Sequence, residues 1–150
     1  MKTLNSALAL IAIASAGVSH ASSLSPLNTK FTIRGHVTIP LAGKDAKCTI
    51  MMKGETDSRG KGKIKGFALT GTSPACIATP TNLPWRVVSQ GLNGVEIFGI
   101  GYQDMAADCP TRDLGVFVSS SGEWGFFGGS CFMGPLQTVP AITIVPGRPN

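Results

Sequence analysis

The stretch Phe31-Thr32-Ile33-Arg34-Gly35-His36-Val37-Thr38-Ile39 alternates apolar and polar side chains with a period of two. Successive side chains of an extended chain point to opposite faces, so Phe31, Ile33, Val37 and Ile39 share one face and Thr32, Arg34, His36 and Thr38 the other. Such a segment is a half-buried strand and needs partners on at least one edge. Residues 48–53, 61–69, 85–90, 95–102, 114–119, 123–127 and 136–145 read as further strands. Turn chemistry separates them: the polar run 54–60, Asn93-Gly94, and Ser120-Ser121-Gly122. No segment keeps a helical period, and the 19 glycines and 10 prolines fall at turns and inside strands, which opposes helices. The expected fold is all-β: a single β-sandwich, Ig-like or jelly-roll-like, of about eight short antiparallel strands.

The amino terminus reads differently. Lys2 supplies a positive start, residues 4–18 are apolar or small, and Ser19-His20-Ala21 offers small residues at the −3 and −1 positions of a cleavage site. About fifteen such residues fall short of the roughly 20 needed to span a bilayer. Residues 1–21 are therefore expected to be a cleaved signal peptide and residues 22–150 the secreted β-domain. The cut removes 21 of 150 residues and leaves 129, lowers the formal charge from +5 to +4 by removing Lys2, and leaves His36 as the one histidine. The expected location is secreted, extracellular or at the cell surface, with no transmembrane segment. All four cysteines, Cys48, Cys76, Cys109 and Cys131, lie in the mature part. An even number in an exported chain argues for disulfides. Of the three possible connectivities the sequential one, Cys48–Cys76 and Cys109–Cys131, joins neighbouring strands of a meander. The spacings of 28, 33 and 22 contain no zinc knuckle.

Chemistry is sparse. His36 sits mid-strand on the polar face, where the plain reading is an exposed strand residue. Most acidic residues fall in predicted turns; Glu96 and Glu123 fall in strands and are the one carboxylate pair worth following for a hydrolase. Neither a catalytic site nor a cofactor or metal is expected, and the chain is read as a non-enzyme. Lys61, Lys63 and Lys65 are spaced by two and so share one face of one strand. Their plain reading is a solvated face, or a lysine-guarded edge that resists pairing with other molecules. The alternative is attraction to anionic lipopolysaccharide, acidic polysaccharide or nucleic acid. Interleaved aromatic platforms are lacking, so nucleic acid is not an expected partner. Finally, apolar side chains exceed what one sheet face needs. Trp85, Phe98, Trp124, Phe126 and Phe127 are the candidate apolar surface, for a hydrophobic surface, a lipid or a neighbouring copy.

An ordered set of motifs runs along the mature chain: Ser25-Pro26-Leu27-Asn28-Thr29-Lys30-Phe31, Cys48-Thr49-Ile50, Cys76, Leu83-Pro84-Trp85, Asp108-Cys109-Pro110 and Gly129-Ser130-Cys131. This resembles the small exported proteins known as protein activators of alkane oxidation (PraB-like). The resemblance implies an extracellular, non-enzymatic protein of a Gram-negative bacterium that promotes access to, or dispersion of, a hydrophobic hydrocarbon. It supplies no catalytic residues. The alternative function is an extracellular structural, fimbrial or biofilm-matrix subunit, with self-association through the 139–145 strand.

Overall fold

The computed structural model describes residues 22–41, 43–104, 113–126, 132 and 134–147. Twelve strands form among them: β1 (Ser22–Ser25), β2 (Lys30–Ile39), β3 (Ala46–Thr56), β4 (Gly62–Thr70), β5 (Thr79–Thr81), β6 (Trp85–Gln90), β7 (Gly94–Phe98), β8 (Gly101–Gln103), β9 (Leu114–Val118), β10 (Glu123–Phe126), β11 (Pro135–Val139) and β12 (Thr143–Pro146). Eight of them close into an antiparallel barrel in the order β10-β11-β2-β3-β4-β6-β7-β9. The remaining four form two small sheets, β1 with β12 and β5 with β8. The all-β expectation holds, but the expected sandwich is a barrel. Inward–outward alternation is the same in both architectures. What separates them is the long-range pairing of β11 with β2 (Gln137 opposite Arg34, Thr138 opposite Ile33), which joins the two ends of the meander and which no local pattern encodes.

Two expected strands are each cut in two. The 95–102 segment breaks at Gly99, whose φ of +78° suits glycine, and β8 then leaves the barrel to pair with β5. The 136–145 segment breaks at Pro140, which has no N–H to continue a ladder, and β12 turns away to pair with β1. The expected lead-in at 22–30 contains β1, and the loop beside Cys76 contains β5.

The predicted inward face of β2 is confirmed: Phe31, Ile33, Val37 and Ile39 are all buried. Inward residues from the other strands, among them Ile50, Met52, Ile64, Val87, Val95, Ile97, Val116 and Leu136, fill the interior, as an eight-stranded barrel requires. Two inward positions are glycines because neighbours need the space. A Cβ at Gly54 would strike the Phe31 ring at 2.6 Å, and one at Gly62 would meet Leu24 Cδ1 at 2.9 Å. Leu24, on β1, thus enters the barrel end over Gly62. That end is tied further by Leu24 N–H donating to Gly60 O at 2.8 Å and Ser89 Oγ to Ser22 O at 2.7 Å.

The β3–β4 turn is fixed by Asp57, whose Oδ1 accepts from the backbone N–H of Arg59 (2.8 Å) and of Lys61 (2.9 Å). Desolvation opposes ionisation of this carboxyl, yet the N–H groups of Lys61 and Arg59 hold it below its ordinary value. At the far end of the barrel, Cys48 on β3 is bonded to Cys76, with Cα atoms 5.5 Å apart, as the sequential pairing requires. Cys109 and Cys131 lie outside the described residues. The bond closes a loop with a sequence separation of 28. Removing it in a Cys48→Ser/Cys76→Ser variant is expected to cost about 3 kcal/mol in urea unfolding; a loss near zero would show that β5 and its loop are held by packing alone.

Candidate functional site

Register decides where each candidate aromatic residue goes. Trp85 pairs with the inward Ile64, and Trp124 with the inward Val118 and Leu136. Both indoles therefore point into the barrel and are 1% exposed. Their N–H groups donate to Thr81 O at 2.8 Å and Ile142 O at 3.1 Å, which satisfies the one polar atom each ring carries. The expectation that these two lie on an apolar surface is corrected: they are core. Phe126 is half-buried, 5.9 Å from the Phe132 ring. Phe98 does face outward, but Arg86 lies over it at 4.7 Å from the ring centroid. Phe127 lies outside the described residues.

The apolar surplus instead builds a second aromatic layer. Phe67, Trp85, Tyr102, Phe126 and Phe132 are linked ring to ring at 5.2–6.1 Å. The layer sits where β5 and β8 lie against β4 and β6, away from the β1–β12 end. Tyr102, the one tyrosine of the chain, is wedged edge-on against Trp85 and Phe132. Burial pushes its phenol far up from 10.0. Below about pH 10 the phenol is neutral in the folded and the unfolded chain alike; above it only the unfolded chain ionises, so stability falls as pH rises. Ultraviolet titration is expected to show no phenolate in the folded protein near pH 10, with phenolate appearing together with unfolding. A freely titrating phenolate in a folded barrel would contradict this packing.

Exposed apolar side chains stand elsewhere. Leu92, in the β6–β7 turn, is 54% exposed, and Phe117, on the outward face of β9, is 46% exposed. Phe117 lies opposite Gly94 on β7 and Gly125 on β10, so neither neighbouring strand offers a side chain beside it. Gln90, Leu92, Gly94, Glu96, Gly115 and Phe117 line an open cleft of about 410 Å³. Glycine backbone, Leu92 and Phe117 give it apolar surface, and beside them Gln90 Nε2 donates to Glu96 Oε2 at 3.2 Å. A cross-strand aromatic over glycine also stabilises a sheet, but here half of the ring remains in water. No local pattern marks these two residues as unpartnered; the glycine pairings that isolate Phe117 arise only from register.

The remaining predicted groups do not converge. Glu96 lies opposite Gly115, whereas Glu123 O accepts from Ser119 N–H at 2.9 Å. Four residues along β9 and two strand spacings separate the carboxylates' strand positions by roughly 16 Å, well beyond the spacing of a glycosidase pair. His36 faces outward and is exposed, with Nδ1 3.3 Å from Thr49 Oγ1. Among the described residues no group of three His, Cys, Asp or Glu side chains could hold a metal. Nor is any described helix long and apolar enough to cross a membrane. Lys61, Lys63 and Lys65 all point outward and are exposed, with Lys65 Nζ 3.2 Å from Glu55 Oε1.

These features describe a small, disulfide-linked β-barrel with an apolar cleft on one flank and a lysine-rich face on another. The family model for the alkane oxidation protein activators, PraA/PraB-like, matches residues 1–146. The chain belongs to that family. No curated protein and no solved structure matches it.

Proposed function

We propose that this protein works outside the cell without catalysing a reaction, adsorbing to hydrocarbon and promoting its dispersion or its access to the cell. The observation that carries the reading is the cleft between Leu92 and Phe117: two large apolar side chains held half in water by a closed barrel. Family membership supports the link to alkane use. The amino-terminal pattern of residues 1–21 supports export, and the Cys48–Cys76 bond fits an oxidising compartment.

The contact is weak by design of its size. Burying one Leu or Phe side chain completely is worth about 1.5–3 kcal/mol, so burying the exposed halves of two is worth about 2 kcal/mol. That corresponds to roughly a thirtyfold preference for the interface per molecule. It suits a protein that coats droplets reversibly rather than one that extracts single alkane molecules. A fimbrial role is less well supported, because the carboxy-terminal segment expected to augment a neighbour is engaged within the chain: β11 closes the barrel and β12 pairs with β1.

Purified protein is expected to adsorb to hexadecane droplets and stabilise the emulsion. A Leu92→Ser/Phe117→Ser variant should lose roughly thirtyfold in adsorption while unfolding normally. Gly125→Val, whose side chain enters open space beside Phe117, should adsorb more strongly. Equal adsorption by all three proteins would contradict the assignment.

A further inference from the structure

Charge is sorted around the barrel. All ten described Lys and Arg side chains lie between Lys30 and Arg86, on β2, β3, β4, β6 and their connections, with only Asp45, Glu55 and Asp57 among them, a formal +7. The described residues after Arg86 carry Glu96, Asp104, Asp113 and Glu123 and no Lys or Arg, a formal −4. Strand register turns this segregation into a pattern. Lys30, Glu55, Lys63 and Arg86 are successive cross-strand partners, one row over four strands. The row spans roughly 14 Å.

Two observations separate this face from an ordinary solvated one. Lys63 lies directly opposite Arg86, a like-charge pair that opposes sheet formation. Glu55 is taken by Lys65 at 3.2 Å, and no other ion pair forms among the described residues; the Asp57 carboxylate is turned onto the backbone of its own turn. Edge protection does not account for Lys63 either, because it is laddered to Glu55 on one side and to Arg86 on the other. The second observation is apolar. Lys30, Thr32, Lys53, Glu55, Lys65 and Val139 surround a shallow groove of about 250 Å³, and Val139 is 58% exposed. An apolar side chain ringed by ammonium groups matches a boundary between phosphates and hydrocarbon. A polysaccharide or a nucleic-acid backbone offers Val139 no apolar partner, and the outward aromatic ring beside this face, Phe98 on β7, is already covered by Arg86.

We propose that the outward face of β2, β3, β4 and β6 docks on an anionic lipid surface, with Lys30, Lys53 and Lys63 meeting headgroup phosphates and Val139 entering between them. Lysine suits this role as a mobile point charge that meets phosphates without fixed geometry. The attraction acts within about 8 Å at physiological salt and contributes about fivefold in affinity per lysine. The face is separate from the Leu92–Phe117 cleft, and the assignment does not rest on hydrocarbon adsorption.

Co-sedimentation with alkane-free vesicles tests it. The protein is expected to bind phosphatidylglycerol vesicles, to ignore phosphatidylcholine vesicles, and to be released by high salt. Lys30→Gln/Lys53→Gln/Lys63→Gln should lose about a hundredfold in affinity, whereas the corresponding triple Lys→Arg variant keeps it. Val139→Ser should weaken vesicle binding severalfold and leave any retention on heparin unchanged. Leu92→Ser/Phe117→Ser should bind vesicles normally, so loss of oil adsorption and loss of lipid docking are distinguishable. Equal binding to the two vesicle types, an unaffected Gln variant, or tighter binding to heparin or single-stranded oligonucleotide than to vesicles would overturn the proposal.

Discussion

Closure of the barrel by β11 on β2 is the constraint on which the other features depend. Once the meander closes, each side chain on its strands has two destinations, the packed interior or the outer face. Both tryptophans go inside, where Thr81 O and Ile142 O meet their N–H groups. Closure also removes edges from the paired strands, so a charge such as that of Lys63 is no longer needed to repel other strands. With the interior filled, the outer surface carries the exposed features: a glycine-floored cleft on β7 and β9, and a cationic face on β2, β3, β4 and β6.

Much of this was legible in the sequence. Alternation places the inward face of β2 residue by residue, the turn signals mark the β3–β4, β6–β7 and β9–β10 hairpins, and the even cysteine count anticipates the Cys48–Cys76 bond. What remained hidden depends on register between strands distant in sequence. A sandwich and a barrel share the same alternation. Trp85 and Trp124 look like surplus until their partners show that they face inward. Phe117 looks ordinary until Gly94 and Gly125 prove to be its neighbours. The same holds for Lys63 and Arg86, which are 23 residues apart in the chain and adjacent in the sheet.

The two outer sites are physically complementary. On the two proposals, an apolar cleft worth about 2 kcal/mol at an oil boundary and a lysine face effective only within a Debye length of anionic lipid would each be weak and reversible. Placed on different flanks of one barrel, they would, on the proposed function, let a single molecule touch a droplet and a lipid surface without committing to either. On that proposal, a barrel whose predicted carboxylate pair stays apart could still serve a family named for activating alkane oxidation.

The most direct measurement is covalent footprinting of the protein adsorbed on hexadecane droplets. Protection is expected around Leu92, Glu96 and Phe117, with Lys30, Lys53 and Lys63 still open to an amine reagent and the barrel amides still slow to exchange. Protected lysines with a freely labelled β6–β7 turn, or rapid exchange throughout β2 and β3, would contradict it, showing either the opposite face on the oil or a chain that unfolds to adsorb.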